Sequence, residues 1–328
     1  MGFSMTRHIS LDTIRQAAST IYDVVVRTPL VRLDVPGLDA DAPEIFLKLE
    51  SLQPIGSFKI RGAQNAVRHL APGQLAQGVW TVSAGNAAQG VALAARRAGA
   101  ACSVMVMDTA PATKLQSIER LGATIVKAPY EECWRTVEQH RSDRMTGHFV
   151  HPFDDDLFIS GNGTIGLEIL EDLPDVDAVI APIGGGGLIA GVGAALREGR
   201  PRAKIYAAEP ETAAPLARSL QAGQPSVFAE WTSSFVDGAG GRSVLETMWP
   251  LLQPLVEASI VVTLDDAARA MKTVADRVHV IMEGAAACAV AAALSPAFAA
   301  RNHRKVVAIV SGGNIDLSRF AQLTGSCL

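Results

Sequence analysis

Short β-branched and apolar runs alternate along most of the chain with longer Ala- and Leu-rich stretches of helical period, the pattern of a parallel sheet covered by helices. The runs predict strands at EIFLKLE (44–50), VWTVSA (79–84), SVMVM (103–107), TIVKA (124–128), AVIAPI (178–183), KIYAAEP (204–210), SIVVTL (259–264) and KVVAIVS (305–311). Each is followed by a helical pattern or a glycine turn, which places the chain in the α/β class. The uncharged stretch from Ala178 to Leu196 is long enough to span a bilayer, but Pro182 and four consecutive glycines fit a strand, a turn and a helix start better. The first twenty residues have no continuous apolar region and soon turn into an amphipathic helix pattern, so no signal peptide is expected.

Composition narrows the classes of function. With 328 residues and 48% hydrophobic content the chain can bury two cores or one large one. A net charge of -4 and the lack of any basic run argue against nucleic acid and anionic lipid as partners, which leaves small molecules. Cys102, Cys133, Cys288 and Cys327 have neither zinc-ligand nor disulfide-framework spacing and read as reduced thiols of a cytoplasmic protein. No repeat or low-complexity tether divides the chain, and the polar stretch 140–156 is its best internal break.

Four segments carry chemistry. Gly184 to Gly187 follow the buried strand AVIAPI and open a helix, so their side-chain-free N–H groups can cradle a phosphate. The same residues satisfy a GxGxxA dinucleotide pattern through Gly185, Gly187 and Ala190, with Glu209 placed as a ribose-binding acid would be, and this segment alone leaves both readings open. Lys59, in SFKIRGA, lies just after an expected helix N-cap, where the helix dipole and partial burial would depress an ammonium pKa; taken alone, a lysine is far more often a solvated surface group. Asn86, in SAGN, and Ser311, in SGGN, stand at strand ends that face the ligand crevice of an open α/β sheet, where an N-cap and a turn serine are the structural alternatives.

Taken in order, SLQPIGSFKIRGA, SAGNAAQGVALAA, HPFDDDLFISGNGTIGLEI, PIGGGGLIAG and IVSGGN resemble the motif series of the serine/threonine dehydratase family of fold type II pyridoxal-phosphate enzymes, serine racemase-like members included. The resemblance covers nearly the whole chain and favours pyridoxal 5'-phosphate at the glycine run. It implies a tryptophan synthase beta-like fold of two open, mainly parallel sheets flanked by helices, with the cofactor between a large domain (1–52 and 154–328) and a small one (53–153) that closes over the substrate. Lys59, next to Phe58, would form the internal aldimine and remove the Cα proton. Asn86 would bond the cofactor's phenolic oxygen, Gly184, Gly185, Gly186, Gly187 and Leu188 its phosphate, and Ser311 would face the pyridine nitrogen, with Glu283 near the ring. Ser83, Ala84, Gly85, Asn86 and Ala87 would receive the substrate carboxylate. A homodimer is the family's ordinary state.

The implied reaction is dehydration and deamination of an L-serine or L-threonine type substrate to a 2-keto acid and ammonia. Three departures bear on it. Ala84 stands where racemising members carry a serine, which favours elimination over racemisation. Ala87 stands where many members have histidine, which suggests room for a bulkier substrate such as phenylserine or hydroxyaspartate. Pro215 stands where relatives offer a carboxylate beside the counterpart of Glu209, so a divalent metal held by two carboxylates is not expected, while a monovalent ion held by backbone carbonyls stays open. An amino acid racemase is the alternative within the family, and a nicotinamide oxidoreductase or a non-catalytic binding relative lies outside that reaction class.

Overall fold

The structure, a computed structural model, describes residues 7–35 and 42–325; Cys327 and the first six residues lie outside them. Among the described residues, the strands are β1 (Leu30–Leu33), β2 (Glu44–Leu49), β3 (Val79–Val82), β4 (Cys102–Met107), β5 (Thr124–Ala128), β6 (His148–Phe149), β7 (Ala178–Pro182), β8 (Lys204–Pro210), β9 (Val256–Val262) and β10 (Lys305–Val310). The eight predicted strands are all present, with ends differing by up to three residues. β1 and β6 are additions that the pattern did not show. β1 is a short edge strand with little burial, and β6 is only two residues long inside the polar stretch.

Two sheets result. The larger runs in the order β1-β2-β10-β7-β8-β9 and is parallel except for β1, which pairs antiparallel with β2. The smaller runs β5-β4-β3-β6 and is parallel throughout. The central strands β7 and β3 are buried along their whole length, so neither sequence alternates: β7 is a continuous apolar run and β3 is interrupted by Thr81 alone. Each fully buried Val or Ile there contributes about 1.5–3 kcal/mol of transfer free energy.

Helices cover both faces of the larger sheet. Leu11–Ile21 turns Leu11, Ile14, Ala17 and Ile21 inward at helical spacing, and Ser10 caps it by accepting from the Thr13 N–H. Gly284–Leu294, sequence GAAACAVAAAL, packs in the core on one face; its small side chains let it lie close against the strands. Both sheets share one topological feature. From β7 the chain winds outward through β8 and β9, then returns to place β10 on β7's other side. From β3 it winds through β4 and β5, then returns to place β6 beside β3. Such switch points open a crevice at the carboxyl ends of the strands, and each sheet has one.

Candidate active site

The predicted site segments converge at these two switch points. β7 ends at Pro182 and leads into Gly184–Gly187; β10 ends at Val310 and leads into Ser311–Asn314; β2, which pairs with β10, leads towards Lys59. From the smaller sheet, β3 ends before Ser83–Ala87, and β6 ends before His151–Asp154.

Lys59 is the first residue of helix Lys59–Arg68, after an N-cap position held by Phe58 without a side-chain cap bond. The expected side-chain N-cap is therefore absent, and the buried Ser57 hydroxyl has no partner among the described residues. The strand-like segment before the helix is laced to the end of β10: Phe58 N–H donates to Ser311 O at 3.0 Å, and Gly313 N–H to Gly56 O at 2.9 Å. Lys59 and Ser311 thus come as one unit. The Lys59 ammonium lies 5.3 Å from the ring centroids of Phe58 and Phe158 and donates to Pro152 O at 2.5 Å. Burial lowers its pKa to about 8.

The glycine turn is a cradle that side chains would fill. A Cβ at Gly185 would sit 2.2 Å from the Phe153 ring, one at Gly184 2.6 Å from Gly238 O, and one at Gly187 2.6 Å from Phe153 O. Gly186 has φ +95°, a conformation that disfavours any other residue. The turn opens helix Gly187–Gly199, which has no side-chain cap, and Leu188 follows in its first turn. Uncapped N–H groups at a helix start with no Cβ around them suit a phosphate dianion, and a reactive amine stands nearby through the Pro152–Phe153 segment. The residues present fit pyridoxal phosphate.

Asn86 begins helix Asn86–Arg97, whose N-cap is Gly85. Its side chain does not cap that helix. It donates to Glu283 Oε1 at 2.8 Å and accepts from Asn314 Nδ2 at 2.8 Å, while Asn314 also donates to Ile55 O. Glu283 is the N-cap residue of helix Gly284–Leu294 but makes no cap bond, its carboxylate being turned to Asn86. Burial pushes the Glu283 pKa up to about 7. Its backbone N–H donates to Gly312 O at 3.0 Å, and a Cβ at Gly238 would lie 3.6 Å from its carboxylate. Asn86, Glu283, the β10 loop and the glycine turn are therefore contiguous. In the Ser83–Ala87 loop, Ser83 Oγ accepts from Gly85 N–H at 3.1 Å, Ala84 is half-buried, and Ala87 is buried.

Sequence reasoning missed Asn314, Gly238 and the pair Pro152–Phe153. Asn314 lay inside the quoted SGGN run, and only its bond to Asn86 marks it out. Pro152 and Phe153 lay inside the quoted HPFDDD run, after a strand too short to show a pattern, and only their contacts with Lys59 and the glycine turn mark them out.

Two nearby clusters have other work. The Glu209 carboxylate accepts from the N–H groups of Leu216 and Ala217 at 2.8 Å each and from the Ser259 hydroxyl, so it caps helix Pro215–Ala222 and is not free for a ribose. His140, His151 and Asp154 bring ligand atoms within 4.8 Å of one another. His151 Nδ1, however, accepts from the N–H groups of Phe153 and Asp154 while Nε2 faces Val137 O at 3.2 Å, and Arg7 and Thr247 hold Asp154. One ring nitrogen is spent on the turn that carries Pro152 and the other on helix Tyr130–Gln139. No described helix is long and apolar enough to cross a membrane.

Comparison with known proteins agrees with this geometry. L-threonine ammonia-lyase of Thermotoga maritima is 38% identical over 322 residues, 96% of this chain and 78% of that protein. Maize serine racemase superposes with a TM-score of 0.87 at 34% identity, covering 98% of both chains. Threonine deaminase isoform 2 of Solanum lycopersicum superposes with a TM-score of 0.84 at 33% identity, covering 98% of this chain and 95% of that one. Residues 21–312, which hold the lysine, the glycine cradle and the loops around them, match the pyridoxal-phosphate dependent enzymes, and the chain belongs to that family.

Proposed function

We propose that this protein is an ammonia-lyase that dehydrates and deaminates a β-hydroxy amino acid of the L-threonine or L-serine type, giving a 2-keto acid and ammonia. The observation that carries this reading is Lys59: an amine lowered to about 8 by burial, its segment laced to Ser311 and standing beside a glycine turn that no side chain fills. The naming of the Thermotoga relative as an L-threonine ammonia-lyase supports it.

The Lys59 amine, the N–H groups of Gly184–Leu188, Asn86 and Ser311 would hold the cofactor. When bound, pyridoxal phosphate withdraws electrons from the substrate's Cα and acidifies its C–H bond. Lys59, half of it neutral at pH 8, then takes that proton at Nζ. Pro152 O gives the amine a fixed acceptor when it is not otherwise engaged. Asn86 is kept in one orientation because Glu283 accepts from its Nδ2 and Asn314 donates to its Oδ1. Ser311 offers a hydroxyl where a carboxylate would hold a protonated pyridine, so the site suits prompt loss of a leaving group over prolonged storage of charge. The β-hydroxyl departs as water, which balances the proton taken from Cα, and hydrolysis of the resulting enamine then consumes one water and releases ammonia. The N–H groups around Ser83–Ala87 would take the substrate carboxylate. Ala84 offers no hydroxyl to reprotonate Cα, which favours elimination.

In this reading, residues 1–52 and 154–328 form the large domain and 53–153 the small one that closes on the substrate, in a cytoplasmic homodimer. The test is incubation of the purified, pyridoxal-phosphate-loaded protein with L-serine, L-threonine and phenylserine, with 2-keto acid and ammonia both measured. Equal yields of keto acid and ammonia from one of them are expected. No keto acid from any would overturn the assignment, and D-amino acid in its place would establish the racemase.

A further inference from the structure

Behind Lys59 lies a group of charges that the reaction as described does not use. Arg61, two residues along the same helix, is 0% exposed, as are Lys48, Glu50 and Glu168. Two cations face two carboxylates, so the group is neutral overall. Burial of four charges is costly unless every one is paired and hydrogen-bonded, and here they are. Arg61 donates to Glu50 through Nε at 2.7 Å and an Nη at 2.8 Å, and to Glu168 at 2.7 and 3.0 Å; Thr164 Oγ1 and Val26 O accept from it as well. Lys48 donates to Glu168 at 2.6 Å and to Thr28 O at 2.6 Å, and the Tyr22 and Thr28 hydroxyls complete the two carboxylates.

What matters is where these partners sit. Lys48 lies on β2 and pairs with Ile309 of β10, and Glu50 directly follows β2; β10 is the strand that ends at Ser311. Thr164 and Glu168 lie on helix Asp156–Asp172, whose Asn162 Nδ2 donates to Gly187 O at 3.2 Å in the glycine turn. A Cβ at Gly161 of that helix would come 2.4 Å from Arg61 O, and one at Gly191 of the glycine-turn helix 2.4 Å from Ile159 O, so the three helices are in backbone contact in series. The other face of the Lys59 helix belongs to the smaller sheet, where Gly90 lies against Lys59 O.

We propose that Arg61 is a positioning residue: its guanidinium fixes the first turn of the Lys59 helix to β2 and to the helix behind the glycine turn. The amine thereby keeps its place relative to both Ser311 and the phosphate cradle. A planar fork bonded on two sides does this in a way a lysine cannot, because an ammonium at the end of a flexible stem cannot engage Glu50 and Glu168 bidentately. The proposal rests on the reading of Lys59 as the Cα base.

The test compares loaded wild type, Arg61→Lys, Glu50→Gln and, as a stability control, Phe298→Leu, a buried core residue on the far side of the larger sheet. Four readouts are taken: thermal midpoint, visible circular dichroism of the bound cofactor, kcat against KM, and the Cα-deuterium isotope effect. Arg61→Lys is expected to alter the dichroism, lower kcat by roughly 100-fold with KM within about twofold, and raise the isotope effect, because proton removal by a misplaced amine becomes limiting. Phe298→Leu is expected to lower the thermal midpoint and leave the dichroism and kcat as in wild type. Wild-type dichroism and kcat in Arg61→Lys would overturn the proposal, as would the same changes in Phe298→Leu. Where Arg61→Lys does not fold, Glu50→Gln, which keeps an oxygen towards Arg61, is expected to change the dichroism and lower kcat about tenfold, and no change in either overturns the idea. A wild type that forms no keto acid defeats the dehydratase reading instead, and leaves the dichroism to decide on Arg61.

Discussion

Lys59 Nζ donates to the carbonyl oxygen of Pro152 at 2.5 Å, a contact between residues 93 positions apart that links the first helix after β2 to the turn after β6. A lysine with an ordinary pKa near 10.4 is almost wholly protonated at pH 8. Burial brings Lys59 to about 8, so the nucleophilic, neutral amine is half-populated there. Cofactor-free protein mixed with pyridoxal phosphate should therefore regain its visible band at a rate that rises with pH and is half-maximal near 8. A rate still climbing steeply at pH 10 would show that the amine is not desolvated.

The cradle makes a prediction about pairs of substitutions. Gly185→Ala forces its Cβ onto the Phe153 ring, whereas Gly187→Ala meets the Phe153 backbone. Overpacking of this kind costs about 1–3 kcal/mol, so each change should weaken pyridoxal phosphate binding by roughly 10- to 100-fold. Adding Phe153→Ala should restore most of the affinity of Gly185→Ala and little of that of Gly187→Ala. Equal restoration of both, measured by equilibrium titration, would show that the turn gives way as a whole.

Glu283 gives a pH signature. Its folded pKa, raised to about 7 by burial, lies above the ordinary carboxylate value. A raised pKa means that the folded state binds the proton more tightly, so its stabilising contribution is full below the ordinary value and is lost as pH rises towards 7. Glu283→Gln removes that titration while leaving an oxygen for Asn86. Its thermal midpoint should vary less than wild type between pH 4.5 and 7, and above pH 7 the variant should be the more stable by ~1–3 kcal/mol. Parallel curves for the two proteins would mean that Glu283 titrates normally.

Most of the fold was legible because buried parallel strands are continuous or nearly continuous apolar runs, as in β7 and β3, and the glycine turn, Asn86 and Ser311 all lie where such runs stop. What stayed hidden has a common cause. β6 is two residues long and leaves no periodicity, so Pro152 and Phe153, though inside a recognised motif, had no strand end to give them a role. Asn314 and Gly238 act through partners distant in sequence, and no local pattern announces a bond from residue 314 to residue 86. The N-cap expected near Lys59 failed for a related reason: tertiary pairing of Ser57 with Gly312 overrides the local preference of a serine for capping. Nothing local in the sequence sets Arg61 apart, since the four carboxylate oxygens around it come from residues 50 and 168.

Ala84 bears on the stereochemical fate of the substrate. The Ser83 hydroxyl beside it already accepts from Gly85 N–H, and Ala84 supplies no second hydroxyl in the loop. The family pattern puts a serine at position 84 in racemising members, where it returns a proton to Cα. A positioned acid is worth about 10²–10⁴ in rate, so Ala84→Ser should raise deuterium incorporation into serine recovered from D2O at least tenfold and yield measurable D-serine. The wild type should convert serine to keto acid with little exchange into what remains. Ala84 is half-buried at the edge of the smaller sheet's core, so the extra oxygen should cost about 1 kcal/mol of stability, the centre of the usual range for single substitutions. A variant that still eliminates but gains no exchange would mean that the proton on that face comes from elsewhere, and that the missing hydroxyl is not what keeps this enzyme an eliminase.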